Sequence, residues 1–283
     1  MTTSSVVADP HAAPPTSLLA LVRGVRRHRH LVFQLAKREV VGRYKGSFLG
    51  MAWSFFNPVL MLAVYTFVFS VAFKARWSVG AEEGKAQFAI VLFVGLMVHG
   101  LLSEVLNRAP ALVLANANLV KKVVFPLEIL PLVSVLAALF HCMVSLGVLL
   151  VAILFFTGYL HWSAILAPLV FLPLLVLTTG LAWILASLGV YLRDVSQTVG
   201  IITSAMMFLA PVFYPVTALP QSMQAWLFLN PLTFIIEQAR SVLIWGKAPD
   251  WLGLGVYMLV AVFVAWAGYA WFQKTRKGFA DVL

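Results

Sequence analysis

The sequence predicts an all-α membrane protein with six transmembrane helices, an amphipathic helix before the first span, and short re-entrant helices before the last span. Two observations carry this prediction. Apolar residues occupy 62% of the 283 positions and charged residues only 11%, whereas soluble domains are about 25% charged. The apolar residues also gather into runs of roughly 20 residues, the length of a helix that crosses the hydrocarbon core of a bilayer.

The chain is predicted to begin with a disordered, basic extension over residues 1–30, followed by one membrane domain over 31–283. Residues 1–17 are polar and rich in proline, a composition typical of disorder. Over residues 18–46, apolar and cationic side chains are spaced as in a helix that lies on a membrane surface. No apolar stretch in the first thirty residues ends at a small-residue cleavage site, so we expect no signal peptide.

Six apolar runs are predicted to cross the membrane. A lipid-facing run must satisfy its own backbone hydrogen bonds, and these runs lack the strict alternation of barrel strands, so helices are expected. The runs cover about residues 48–73, 88–106, 129–156, 165–190, 199–219 and 252–272.

The segment 220–250 is too polar for a full span. Asn230-Pro231 indicates a turn, and a short amphipathic helical pattern follows it. Two short helices that dip into the outer leaflet fit this pattern. An extracellular loop with a surface helix is the alternative.

Cationic residues predict the orientation of the chain. With six spans, fifteen of the twenty Lys and Arg residues fall on one side of the membrane. Cytoplasmic loops carry such an excess, so both termini are expected in the cytoplasm. The net charge of +10 is therefore explained by loop positions, and no nucleic-acid partner is expected.

Motifs for catalysis, cofactor binding or metal binding do not occur in these 283 residues. There is no GxxxxGK[ST] phosphate loop, since Gly84-Lys85 and Gly246-Lys247 lack the rest of that pattern, and there is no GxSxG motif. The six histidines have no metal-site spacing, and the single cysteine, Cys142, lies in an apolar run. We therefore expect no catalytic residue, no cofactor and no metal in this chain, and any active transport would have to take its energy from a partner or an ion gradient.

Three ionisable residues fall within predicted spans, where such groups are costly and often functional. They are His99, Glu104 and His141. Hydrogen bonding between packed helices is the simpler interpretation of both histidines. Three such groups are too few to predict a proton-coupled transporter.

Two loops on the predicted cytoplasmic side are candidates for contact with another protein. Pro110 and Pro126 bracket a short segment with apolar and cationic faces, which suits a helix that docks in a groove. A helix on the membrane surface is the alternative. Arg193-Asp194 follows the fourth span, where it is either a second contact or a solvated pair of charges.

Four motifs together resemble a known family. The stretch KREVVGRYKGSFLGMAWSFFNP over residues 37–58 resembles the amino-terminal signature of ABC-2 type polysaccharide-export permeases. NLVKKVVFP over 118–126 is similar to that family's cytoplasmic loop, YLRDV over 191–195 to its RD loop, and Asn230-Pro231 to the NP before its last span. The matches occur in family order and cover roughly residues 30–280.

The resemblance implies roles for individual residues. An interface helix on the inner leaflet would include Arg38, Glu39, Arg43, Tyr44 and Lys45. Coupling to an ATPase would involve Asn118, Lys121, Lys122, Arg193 and Asp194. A glycan channel would be lined by Trp53, Phe56, Leu60, Phe213 and Tyr214. A periplasmic gate would contain Asn230, Pro231, Glu237 and Arg240.

The same resemblance implies a transport subunit of the bacterial inner membrane that is not itself an enzyme. It would form a homodimer, bind a separate ATPase subunit that holds ATP and Mg²⁺, contact membrane lipids, and export a lipid-linked polysaccharide such as O-antigen or a capsule-like glycan. An ABC-2 permease for a drug or small lipid is a second hypothesis. A membrane-embedded transferase acting on lipid-linked sugars is a third, although no constellation of carboxylates or histidines supports it.

Overall fold

The computed structural model describes residues 16–68, 85–120 and 125–283. Within those ranges the regular structure is helical and no β-strand occurs, which confirms the all-α prediction. The α-helices are α1 (Leu18–Tyr44), α2 (Trp53–Tyr65), α3 (Lys85–Arg108), α4 (Ala117–Val120), α5 (Ile129–Thr157), α6 (Ala167–Tyr191), α7 (Val195–Phe208), α8 (Gln221–Leu227), α9 (Pro231–Leu243), α10 (Trp251–Thr275) and α11 (Phe279–Val282).

Five helical segments in the described chain are long and apolar enough to cross a membrane. They fall on the first, second, third, fourth and sixth predicted spans, so the prediction of a membrane protein with several spans is confirmed. The segments are Gly50–Val68, Gln87–Ala111, Ile129–Thr157, Trp162–Tyr191 and Trp251–Val282.

The predicted continuous helix over 199–219 is wrong. Helix α7 ends at Phe208, and its 14 residues span about 21 Å at 1.5 Å per residue, less than the roughly 30 Å hydrocarbon core. Pro211 and Pro215 explain the end of the helix, because proline has no N–H to donate and disfavours helical backbone in the residue before it. The short helices α8 and α9 then precede the last span.

Helix α1 begins earlier than the predicted domain boundary. The Ser17 hydroxyl oxygen accepts a hydrogen bond from the Ala20 N–H at 3.2 Å, a typical N-terminal cap. Residues 18–30 are thus helical and continuous with 31–44. This confirms the helix predicted over 18–46, and the helix crosses the domain boundary predicted at residue 30, whereas residues 1–15 lie outside the described residues. Val32 and Ala36 anchor α1 to the start of α5.

Helices α6 and α10 pack closely against each other. A Cβ built on Gly268 would lie 2.2 Å from the carbonyl oxygen of Gly180, and one on Gly180 would lie 2.6 Å from the backbone of Ala265. Small residues at a helix contact let two membrane helices approach closely and gain van der Waals energy.

The bundle has two ends, which the contacts define. The C-terminal ends of α3, α6 and α10 meet the start of α5 at what we call the basic end, where Arg276 pairs with Glu128 at 2.9 Å. Helices α8 and α9 lie at the opposite end, where the Ser163 hydroxyl donates to the Val242 carbonyl at 2.7 Å.

Candidate transport pathway and coupling surface

A network of charges ties α1, the helix predicted to be the interface helix, to two spans at the basic end. The Arg43 guanidinium bonds Glu104 of α3 at 2.6 Å and lies 3.1 Å from the Nδ1 atom of His141 in α5. His141 Nδ1 is also 3.0 Å from Glu104. A carboxylate inside a span is costly unless it is paired, and here a cation from the adjacent interface helix pairs with it.

A second pair extends the network along the same two helices. Arg108 of α3 pairs with Glu39 of α1 and lies 3.9 Å from Glu104. The Tyr44 ring packs edge-on against His141, with the ring centres 6.1 Å apart. Burial raises the pKa of the Tyr44 phenol, so that this ring stays neutral. Glu39, Arg43 and Tyr44, which were predicted for the interface helix, are thus brought together, whereas Arg38 and Lys45 are exposed.

A cavity of about 310 Å³ opens beside this network, between α2, α3 and α5. Its lining includes four polar residues: Glu104 and His141 of the network, Asn57 of α2 and Ser145 of α5. The Nε2 atom of His141 is buried and has no hydrogen-bond partner among the described residues. One polar atom of a residue that lines the cavity is therefore left without a partner in the described structure.

The predicted coupling loop does not form one helix over its described part. It runs through two 3-10 turns, Ala109–Ala111 and Leu114–Asn116, before the four-residue α4, so the helix expected between Pro110 and Pro126 is broken. Lys121 and Lys122 lie outside the described residues. Asn118 is exposed on α4.

The start of that loop is pressed against the end of α6. A Cβ on Gly189 would lie 2.1 Å from the Pro110 carbonyl oxygen, so only glycine permits this approach. Arg193 and Asp194 follow α6 directly and are both exposed. The structure thus places the described coupling residues on the surface of the basic end.

The predicted channel residues fall into two groups. Trp53, Phe56 and Leu60 are exposed along α2. Phe213 and Tyr214 are half-buried beyond the end of α7. The Tyr214 hydroxyl donates to the Phe208 carbonyl at 2.9 Å, and the rings of Phe213 and Phe208 stack with centres 5.6 Å apart.

The predicted gate residues organise the segment after α7. The side-chain oxygen of Asn230 accepts from the Leu232 N–H at 3.0 Å and so caps α9, while its amide nitrogen donates to the Met206 carbonyl at 2.9 Å. Pro231 opens the helix, and its carbonyl accepts from the Tyr257 hydroxyl at 3.0 Å. Asn230-Pro231 thus joins α9 to both α7 and the last span.

Arg240 is the most deeply buried cation in the described chain, with 1% of its surface exposed. Its guanidinium donates to the carbonyls of Pro211 at 2.6 Å, Val212 at 3.1 Å and Val91 at 3.2 Å. It also pairs with Glu237 at 2.9 Å. The Arg240 side chain therefore donates hydrogen bonds to the Pro211 and Val212 carbonyls, which follow the end of α7 and have no helical donor.

Comparison with known proteins identifies the family. The family model described as "ABC-2 type transporter" matches residues 30–244. The chain belongs to the ABC-2 type transporter family. The resemblance seen in the sequence is confirmed.

Relatives of this ABC-2 protein carry a common description. The O-antigen export system permease protein RfbA of Myxococcus xanthus is 29% identical over 266 residues, covering 93% of this chain and 99% of the relative. Two proteins of the same description from Klebsiella pneumoniae are 24% identical, and each covers 89% of this chain and 95% of the relative.

Sequence reasoning missed two features of this ABC-2 protein. It assigned Arg240 to a gate but did not predict that the guanidinium is buried against the backbone. It also treated Glu104 and His141 as separate suspects, whereas they share Arg43. The spacing of the charges could have indicated this network. Glu39 and Arg43 lie one turn apart on α1, and Glu104 and Arg108 lie one turn apart on α3, so each helix carries an acidic and a basic side chain on one face at the same separation.

Proposed function

We propose that this chain is the transmembrane subunit of an ATP-driven exporter that moves a lipid-linked O-antigen glycan across the bacterial inner membrane. It acts as a homodimer, and a separate subunit binds ATP and Mg²⁺. Family membership supports the ABC-2 transport role, and all three relatives named above are described as O-antigen export permeases. Those names favour a glycan as the transported substrate over a drug or a small lipid.

The observation that carries the transport pathway is the character of the first span, Gly50–Val68. It has the lowest mean hydropathy of the five spans, and only 11% of its most apolar stretch is buried, compared with 72% in the Gln87–Ala111 span. A span whose uncovered face meets only lipid should be the most apolar one. The uncovered face of α2 is therefore better suited to a second protomer and to a polar polymer between the two.

Aromatic side chains on that face suit a sliding glycan. Trp53 and Phe56 are one turn apart, and both are exposed. Aromatic rings present a broad apolar surface to the C–H face of a sugar without fixing one register. Asn57, also exposed on α2, and the adjacent polar cavity add hydrogen-bonding groups for sugar hydroxyls.

One further crossing, the fifth in chain order, consists of α7 together with the irregular segment 209–219. It brings the total to six. Irregular backbone at membrane depth requires protein or water partners for its polar groups. Arg240 supplies such partners to Pro211 and Val212, which supports a re-entrant arrangement of α8 and α9 on the periplasmic side. An even number of crossings puts both termini on the same side of the membrane, and the excess of Lys and Arg on that side favours the cytoplasm.

Coupling to the ATPase runs through α3. At the basic end, Glu104 and Arg108 hold α1. Further along α3, His99 Nε2 lies 2.9 Å from the Thr203 carbonyl of α7, and at the far end the Val91 carbonyl accepts from Arg240. A partner shifts a conformational equilibrium only through contacts that differ between states, and α3 connects the docking end to the gate by direct contacts.

Loss of export without loss of assembly tests the pathway. In a strain that depends on this chain for surface glycan, Trp53→Ala is expected to reduce surface O-antigen several-fold while the permease still co-purifies with its ATPase. Leu259→Ala is the matched control, because Leu259 is exposed on α10, away from the proposed path. Normal surface glycan with Trp53→Ala would remove α2 from the pathway.

Docking and topology are tested separately. Lys121→Glu together with Lys122→Glu should weaken ATPase pull-down, whereas Lys247→Glu at the opposite end should not. Because Cys142 is the single cysteine and is buried, Asn118→Cys gives a selective label. Reaction of that cysteine with an impermeant reagent applied to intact spheroplasts would place the loop outside the cell and refute the coupling assignment.

A further inference from the structure

A second cavity lies at the basic end, away from α2. Its volume is about 390 Å³, and it separates the first turns of α1 from the last turns of α10. Arg23 and Arg27 line it from α1, and Tyr269 and Gln273 line it from α10. None of the motifs that resemble the family falls on these residues.

The cavity carries uncompensated positive charge. Arg23 and Arg27 are four residues apart and so lie on one face of α1. Within the described part of the chain, no acidic side chain forms an ion pair with either of them. The one carboxylate that lines the cavity, Glu128, is already paired with Arg276 at 2.9 Å.

Gln273 provides an independent indication of a ligand. Its surface is 2% exposed, and its Nε2 atom donates to the Tyr269 hydroxyl at 2.9 Å. Its Oε1 atom is buried and has no partner among the described residues. A buried acceptor without a donor is destabilising, so a ligand that supplies a hydroxyl or N–H at this point would be stabilised.

The surroundings indicate the kind of ligand. Trp266, Tyr269 and Gln273 follow the i, i+3, i+7 spacing of one helix face. The indole N–H of Trp266 donates to the Thr16 carbonyl at 3.1 Å. Tryptophan is common at membrane interfaces, where its ring is apolar and its N–H has a polar partner. Phe263, one turn further into α10, is exposed. The helix that lines the cavity thus also presents exposed apolar side chains, which acyl chains can contact.

We propose that this cavity binds the headgroup of an anionic phospholipid, phosphatidylglycerol. The phosphate contacts Arg23 and Arg27, and a glycerol hydroxyl donates to the Oε1 atom of Gln273. A bound lipid would hold α1 against α10 and so stabilise the helix that carries the charge network. The inference goes beyond the proposed transport function and requires only that α10 spans a membrane.

Thermal stability of the full-length protein in detergent tests the proposal. Phosphatidylglycerol should raise the melting midpoint of the wild type well above the value reached with phosphatidylcholine. Arg23→Gln with Arg27→Gln should weaken the apparent affinity at least fivefold. Arg26→Gln with Arg29→Gln is the matched control, because it removes the same charge from exposed positions of the same helix that do not line the cavity.

A second variant tests the cavity without changing charge. Gly24 lines it, and a Cβ there would lie 4.0 Å from the Tyr269 hydroxyl oxygen, so Gly24→Leu can fill the space without a backbone clash. This variant should also lose the phosphatidylglycerol response. An equal response in Gly24→Leu and in both arginine pairs would overturn the proposal in favour of unspecific binding to a basic helix. An equal gain from inorganic phosphate alone would overturn the assignment to a lipid.

Discussion

Replacement of Arg240 by methionine is the sharpest test of the gate region, because the change keeps a long side chain but removes every donor. Three carbonyls lose the guanidinium as a donor, those of Val91, Pro211 and Val212. The Val91 carbonyl lies within α3 and keeps its helical N–H partner, so the two carbonyls left without a donor are those of Pro211 and Val212. A buried carbonyl without a partner costs about 1–3 kcal/mol, and breaking a buried ion pair costs about 3–5 kcal/mol. Glu237 is more than a third exposed and can be rehydrated, so we expect a net loss of about 4 kcal/mol.

The loss is measured as a melting midpoint of the purified protein in detergent. For a chain of this size, 1 kcal/mol corresponds to about 2–4 °C, so Arg240→Met should melt roughly 8–16 °C below the wild type. The melting midpoint of Arg240→Lys should lie between those of Arg240→Met and the wild type, because one ammonium group cannot contact all the carbonyls that a planar guanidinium contacts together. Lys247→Met, which removes an exposed cation from the same end, is the control. If Arg240→Met melts no lower than Lys247→Met, the guanidinium does not hold the segment after α7.

Three further predictions concern helix contacts. Gly268→Val should prevent stable insertion or assembly, because its Cβ would lie 2.2 Å from a carbonyl oxygen of α6. Gly255→Val in the same helix is the control and should be tolerated, because a Cβ there meets nothing within 4 Å. Size-exclusion profiles of the two purified variants measure the difference. The double-mutant cycle of Arg43→Gln and Glu104→Gln should give a coupling energy of about 1 kcal/mol in the melting assay, and additive losses would contradict a direct pair. Gly189→Val should displace the coupling loop, so that ATP hydrolysis continues in the complex while glycan export falls; export equal to the wild type would show that the loop tolerates the displacement.

The sequence predicted the spans well because hydrophobic length is a local property. Five predicted runs coincide with helices of spanning length, and the mixture of cationic and apolar residues over 18–46 predicted the helix that the structure shows as α1. The tertiary partners are not local. Arg43 and Glu104 are 61 positions apart, and Arg240 and Val91 are 149 apart. No helical period in either segment indicates which distant group it will meet.

The prediction of a continuous helix over 199–219 failed for a physical reason. The same reason changes which cations should be counted in the loops. Residues 199–219 are apolar enough to pass as a span, but Pro211 and Pro215 end the helix after Phe208 and leave backbone carbonyls without helical donors. A buried donor must then come from elsewhere, and Arg240 provides it. A guanidinium buried for that purpose is not a loop charge facing solvent and should not be counted as one in the positive-inside rule. Under the six-crossing arrangement proposed above, its removal from the minority side increases the charge asymmetry from which the orientation is predicted.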